Sequence, residues 1–139
     1  MAAFDTAKAF FDACETGKGW EGCRDHVAEG APFACQSAVL ADVKTLEGYC
    51  EWMKGLVTGP LPDGHYTLHS SAWDEANNCA IFSATFHGTH TGEGGPVPPT
   101  NKQTNADYVY AITMNGEGKV ASMTKIWNDA HTLSELGWA

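Results

Sequence analysis

The chain has 139 residues, of which 43% are hydrophobic and 18% are charged, values that predict a single folded domain spanning residues 1–139. Its formal net charge is −9, and Arg24 is the single arginine among its basic residues. A chain without a basic stripe is a poor ligand for nucleic acid or for an anionic membrane surface, so neither partner is expected.

The cysteine pattern and the N-terminal segment bear on the cellular compartment. The five cysteines include no C-x-x-C pair, and their odd number favours free thiols in a reducing cytoplasm. The opening residues carry acids within their apolar pattern and lack a basic n-region, so a signal peptide is not expected. No apolar run approaches the length of about 20 residues that spans a bilayer.

Helices and one small strand are predicted in the first half of the chain. Residues 4–19 have helical apolar spacing that ends at glycines, and residues 20–29 resemble a second, short helix. Residues 31–37 predict a small strand with a proline, Pro32, near its start, which is typical of an edge strand. Residues 42–60 predict a longer helix with Asp42 as its N-cap.

The second half favours strands over residues 65–74, 79–90, 105–114 and 119–127, followed by a short C-terminal helix. The first and third connections between these strands are short and predict antiparallel hairpins, whereas the second is long and rich in glycine and proline. Helices followed by an antiparallel meander indicate an α+β domain, with the helices covering one face of a curved sheet.

Period-two alternation assigns the inner face of two strands. The residues expected to face the helices are Ala80, Phe82, Ala84, Phe86, Ala106, Tyr108, Tyr110, Ile112 and Met114. Asp107 then belongs to the outer face. In the last strand two patterns compete, Val120 with Ile126 and Met123 with Trp127, so the direction of Lys125 stays open.

The order of elements, together with "GTHTG" (88–92), "PPT" (98–100), "GKV" (118–120) and "LSELGW" (133–138), resembles the SnoaL-like polyketide cyclases of the nuclear transport factor 2-like superfamily. The resemblance covers nearly the whole chain. It implies a cone-shaped α+β barrel in which a strongly curved, mainly antiparallel sheet wraps the helices and leaves an internal pocket. It also implies a homodimer formed through the outer face of the sheet.

The chain departs from the catalytic pattern of the characterised cyclases at both positions. The resemblance implies an aspartate base on the last strand and an assisting histidine on the preceding strand. Lys125 stands at the aspartate position and Tyr110 at the histidine position, while Asp107 and Asp129 fall off register. The resemblance therefore supports the cyclase architecture and argues against the cyclase mechanism.

Lys125 and Tyr110 are accordingly the candidate catalytic residues. Lys125 could bind an enolate, act as a base if burial lowers its pKa, form a Schiff base, or extend from a strand edge to water. The candidate substrate-binding residues are Tyr108, Trp127, Met123, Phe86, His90 and Trp52. For His90 we expect hydrogen bonds that hold the long loop, with a ligand contact as the alternative.

No metal site and no cofactor are expected, because His87 and His90 diverge on a strand and the glycine-rich loop does not precede a helix. Two functions stay open. The first is a lyase, isomerase, cyclase or hydrolase acting on a small, largely apolar carbonyl compound. The second is a non-catalytic ligand-binding or dimerisation module of the same fold.

Overall fold

The computed structural model describes residues 2–139 and contains four α-helices and one five-stranded sheet in that range. The helices are α1 (Ala2–Glu15), α2 (Gly19–Cys23), α3 (Leu46–Thr58) and α4 (Asp129–Leu136). The strands are β1 (Phe33–Cys35), β2 (His65–Asp74), β3 (Cys79–Thr89), β4 (Gln103–Met114) and β5 (Val120–Trp127). Short 3₁₀ turns occupy Arg24–His26 and Glu75–Asn77.

The strand order is β1-β5-β4-β3-β2, and β1 pairs with β5 in parallel while the other pairs are antiparallel. The predicted α+β architecture, the meander and the edge position of the first strand are confirmed. The sheet is open, however, because β1 and β2 form its two edges, so the expected barrel is not a closed ring of strands.

Two predicted helices are shorter than expected. The segment 42–45 is not helical, because Phe33 donates its N–H to the carbonyl of Lys44 and Thr45 pairs with Pro32. Thr45 is therefore the N-cap of α3 in place of Asp42, and its side chain accepts from the N–H of Gly48. The predicted helix over 20–29 ends at Cys23 and continues as the 3₁₀ turn, after which Val27 bridges to Val120.

The end of α1 sets the position of its last side chain, Glu15. Gly17 has a φ of +74°, and Lys18 donates its N–H back to the carbonyl of Ala13, which is a glycine-terminated helix end. Glu15 thus lies in the final turn, four residues after Phe11, on the stripe of α1 that faces the sheet.

All nine residues assigned to the inner face of β3 and β4 are buried, as predicted. The ambiguous period of β5 has a physical cause, which is a β-bulge between its pairings Ser122–Thr113 and Val120–Met114. The extra residue shifts the phase of the strand, so that Val120, Met123 and Lys125 all point inward. Ile126 points outward and is 62% exposed.

Replacing Phe11 with alanine should destabilise the fold by about 3–5 kcal/mol, because the ring is fully enclosed and its removal leaves a cavity. The ring centroid of Phe11 lies 4.8 Å from that of Phe82 and 5.1 Å from that of Tyr66. Urea unfolding followed by circular dichroism measures the change. Val97→Ala, in the exposed loop, is the control and should change stability by less than about 0.5 kcal/mol. Equal effects of the two substitutions would contradict the proposed core.

Candidate functional site

A cavity of about 50 Å³ lies between the helices and the inner face of the sheet, and we call it the inner cavity. Apolar side chains form most of its wall, including Met53 and Leu56 of α3 and Leu133 and Leu136 of α4. Two charged residues also line it, Glu15 and Lys125. The charges thus face a space that is otherwise largely apolar.

A larger depression of about 550 Å³ lies outside the inner cavity, and we call it the outer groove. It is lined by Val39, Trp52, Gly55, Leu56, Pro60, Gly94, Gly95, Pro96, Leu133 and Trp138. Five of these residues also line the inner cavity: Val39, Trp52, Leu56, Leu133 and Trp138. The two spaces are therefore adjacent and share a wall made mainly of aromatic and aliphatic side chains.

Lys125 reaches the inner cavity from β5, where it pairs with Tyr110 of β4. The residue is 6% exposed, and its Nζ donates a hydrogen bond of 2.9 Å to the hydroxyl of Tyr49. Aromatic rings surround the amine, with ring centroids at 4.2 Å for Trp127, 5.1 Å for Tyr49, 5.5 Å for Trp52, 5.7 Å for Tyr108 and 5.9 Å for Tyr110. These rings offer their faces to a cation that has lost nearly all of its water.

Glu15 is the carboxylate of the site, and it is 1% exposed. Its Oε2 accepts a 2.6 Å hydrogen bond from the hydroxyl of Tyr108, and its Oε1 accepts one from the hydroxyl of Tyr110. Both tyrosines belong to the inner face of β4. The sheet thus supplies one hydrogen-bond donor to each oxygen of the buried carboxylate.

Lys125 and Glu15 are joined by a continuous series of hydrogen bonds through two phenols. The hydroxyls of Tyr49 and Tyr110 are hydrogen-bonded to each other. Because Tyr110 donates to Glu15, it must accept from Tyr49, and Tyr49 in turn accepts from Lys125. We call this series the Lys125–Glu15 relay; it runs from Lys125 through Tyr49 and Tyr110 to Glu15, and each of its two phenols accepts one hydrogen bond and donates one.

Burial shifts the pKa values of the two ends toward each other. Desolvation lowers the pKa of Lys125 to about 8, although the charge of Glu15 acts in the opposite direction. Desolvation raises the pKa of Glu15, against the opposing effects of Lys125 and the two phenols. Burial also raises the pKa of Tyr49 and Tyr110 well above the usual value, so both phenols stay protonated and can pass a proton along the relay.

The structure brings five of the eight predicted site residues to the wall of the inner cavity: Lys125, Tyr108, Trp127, Phe86 and Trp52. Tyr110 lies behind that wall and belongs to the relay. Met123 lies deeper in the core, paired with Ile112. His90 holds the base of the long loop, where its Nδ1 accepts from the indole N–H of Trp138 at 2.9 Å and from the N–H of Thr100 at 3.2 Å.

Sequence reasoning missed Glu15 and assigned Tyr49 only to the apolar stripe of α3. A signal for Glu15 is present in the sequence, because it follows Phe11 by four residues and so interrupts the apolar face of α1 with a carboxylate. Tyr49 carries no such signal, since tyrosine is common on a buried helix face. Asp107 lies on the outer face, as expected, and accepts from the hydroxyl of Thr85 at 2.6 Å.

No family model matches the chain, and no curated protein matches it in sequence. Solved structures do resemble it over almost its whole length. A protein from Jannaschia sp. CCS1 assigned as a SnoaL-like polyketide cyclase has a TM-score of 0.79 at 16% identity, over 99% of this chain and 93% of that one. IdmH from Streptomyces antibioticus, assigned as a polyketide cyclase, has a TM-score of 0.77 at 19% identity, over 97% and 98%.

A third similar structure carries a different assignment. AclR from Streptomyces galilaeus, assigned as a hydroxylase, has a TM-score of 0.76 at 19% identity, over 99% of this chain and 96% of that one. At such identities the likeness concerns the fold alone, and similar folds host different chemistries. The predicted fold is confirmed: the chain has the same fold as these SnoaL-like proteins.

Proposed function

We propose that this protein is a cofactor-independent acid–base enzyme that acts on a small, largely apolar carbonyl compound. Glu15 removes a proton from the carbon next to the carbonyl, and the positive charge of Lys125 stabilises the oxygen that becomes an enolate. The observation that carries the proposal is the buried Lys125–Glu15 relay at the wall of an apolar cavity.

The chemistry of ring closure and of isomerisation requires two groups. One is a base for the α-proton, and the other is a donor or a positive charge for the developing oxyanion. The resemblance to the cyclases implies the base on the last strand, where this chain has Lys125. A carboxylate supplied by α1 compensates for that difference, because Glu15 faces the same cavity from the opposite side of the relay.

The surroundings of the two groups suit this division of roles. An electrostatic interaction is much stronger in a site that excludes water, and the wall of the inner cavity is mostly aromatic and aliphatic. Tyr108 and Tyr110 hold the carboxylate in place by one bond each, which leaves further lone pairs on its oxygens free to accept a proton. Tyr110, a candidate catalytic residue from the sequence, therefore acts as a positioning residue that holds Glu15.

Ligand binding without turnover is the second candidate function. The small volume of the inner cavity, about 50 Å³, favours it. The burial of Lys125 favours the enzyme, because a lysine without a chemical role is more easily accommodated with its amine in water. Measurable binding of apolar ketones without any proton exchange would select the binding module.

A homodimer formed through the outer face of the sheet is also part of the proposal. Ile126 supports it, because this large aliphatic side chain is 62% exposed on that face.

Within residues 2–139 no helix has both the length and the apolar character of a membrane span.

The protein should accelerate the exchange of α-protons for deuterium in apolar ketones such as phenylacetone, as followed by proton NMR in deuterium oxide. Lys125→Met and Glu15→Gln should each lower the rate by about 10²–10⁴-fold, which is the usual contribution of a positioned acid or base. The control is Lys8→Met, which removes an exposed lysine of α1. Unchanged exchange in the two site variants, with their circular dichroism intact, would contradict the proposal.

The rate should also depend on pH in a defined direction. In the active form Lys125 is protonated and Glu15 is not. As the pH rises above about 8, Lys125 loses its proton and its charge, so kcat/KM should fall. Tyr49→Phe removes the hydrogen-bond acceptor of the ammonium group, which disfavours the charged form and should move this decline to lower pH. A decline at the same pH in both proteins would show that Tyr49 does not influence Lys125.

A further inference from the structure

We propose that Lys125 forms a covalent iminium with its substrate, and that the substrate is an elongated apolar molecule with an aldehyde or methyl ketone at one end. This inference rests on the proposed function and adds the substrate class and the covalent step, in which the charge of Lys125 is carried by the iminium nitrogen and an enamine takes the place of the enolate. It stands on the sizes of the two spaces, on the hydrogen bonds of the amine and on the rings around it.

The volumes indicate the shape of the substrate. A water molecule needs roughly 10–15 Å³ of such space, so the inner cavity of about 50 Å³ accepts a head of about three to five non-hydrogen atoms. The outer groove is about 550 Å³, which is the size of a pocket for a drug-like molecule. A small carbonyl head beside Lys125 and a longer apolar body along Trp52, Leu133 and Trp138 fit this arrangement.

The hydrogen bonds of Lys125 are compatible with a covalent bond at Nζ. The described contacts of the ammonium group include one conventional hydrogen bond, to Tyr49. An iminium nitrogen keeps one N–H, which can continue to donate to the hydroxyl of Tyr49. The new bond from the nitrogen to the substrate carbon points in a different direction. The positive charge also stays inside the set of aromatic rings, of which Trp127 is the nearest at 4.2 Å.

The relay supplies and receives the protons of this step. One proton first moves from Nζ through the hydroxyls of Tyr49 and Tyr110 to Glu15, which leaves a neutral amine and a neutral carboxylic acid. The amine lone pair then bonds to the carbonyl carbon, and a proton passes from nitrogen to oxygen to give the carbinolamine. Glu15 returns its proton to that hydroxyl, the C–O bond breaks, and water leaves as the C=N⁺ bond forms.

Protons and charge balance over the whole sequence. Ammonium, carboxylate and carbonyl compound give iminium, carboxylate and one water molecule. The iminium attracts electrons more strongly than the carbonyl does, so the same Glu15 carboxylate can then remove the α-proton to leave an enamine. Because the cavity is mostly apolar, loss of water from the carbinolamine is favoured there.

The experiment is reductive trapping of the wild-type protein with heptanal and sodium cyanoborohydride at neutral pH, followed by peptide mass spectrometry. We expect one heptyl group on Lys125, attached at least about tenfold faster than on any other lysine, because a lower pKa leaves a larger neutral fraction of the amine. Pivalaldehyde, whose head is too wide for the inner cavity, should label Lys125 more slowly than heptanal does.

Three variants complete the experiment. Lys125→Arg should abolish the fast labelling, and Lys8→Met should leave it unchanged. Glu15→Gln should slow it, because glutamine cannot protonate the carbinolamine hydroxyl, and this loss outweighs the larger neutral fraction of the amine in the variant. Labelling of other lysines while Lys125 stays unmodified would overturn the covalent step, and equal rates for the two aldehydes would overturn the assigned substrate shape.

The two proposals can fail separately. If the protein catalyses deuterium exchange but is not labelled at Lys125, the iminium is wrong and the acid–base function stands. If the protein is trapped but does not catalyse exchange, the acid–base function is wrong and the covalent step stands.

Discussion

Burial of one positive charge is the constraint on which the rest of the site depends. An ammonium group removed from water costs several kcal/mol unless charges, dipoles and hydrogen bonds replace its hydration. In this protein the replacement comes from three parts of the chain. Tyr49 of α3 accepts its hydrogen bond, Glu15 at the end of α1 supplies the opposite charge, and aromatic rings of the helices and the sheet enclose it.

The fold positions these groups by local means that are individually simple. The bulge in β5 turns Lys125 inward, and the pairing of Tyr110 with Lys125 brings β4 and β5 into register at the site. The glycine that ends α1 leaves Glu15 in the last turn of the helix, above the hydroxyls of Tyr108 and Tyr110. A change in any of these backbone features would displace one end of the relay and leave the other end buried without its partner.

The sequence predicted the architecture well, because the alternation in β3 and β4 and the short hairpin connections leave few arrangements of the sheet. It also identified Lys125 as a site residue, but it could not say where the side chain points. That direction depends on the bulge at Ser122 and Val120, which the apolar pattern reflects only as two competing periods. The cap of α3 was misplaced because Thr45 and Lys44 pair with the start of β1, which is a tertiary contact.

The relay itself lay beyond prediction from the chain. Residues 15, 49, 110 and 125 belong to four different elements, and only their packing shows that their polar atoms form one series. The resemblance in fold does not reveal the relay either, because it implies a catalytic base on the last strand and none on α1. The resemblance implies a carboxylate at the position of Lys125, whereas the fold supplies one from the first helix, at Glu15.

The most direct test of this account is the pKa of Lys125, measured by NMR titration of its ¹³Cε resonance in wild-type protein and in Glu15→Gln. We predict a value of about 8 in the wild type, because burial disfavours the charged amine. We predict a still lower value in Glu15→Gln, because the variant loses the negative charge that supports the ammonium group. A value near the unperturbed 10.4 in the wild type would contradict the account, and so would an identical value in the two proteins.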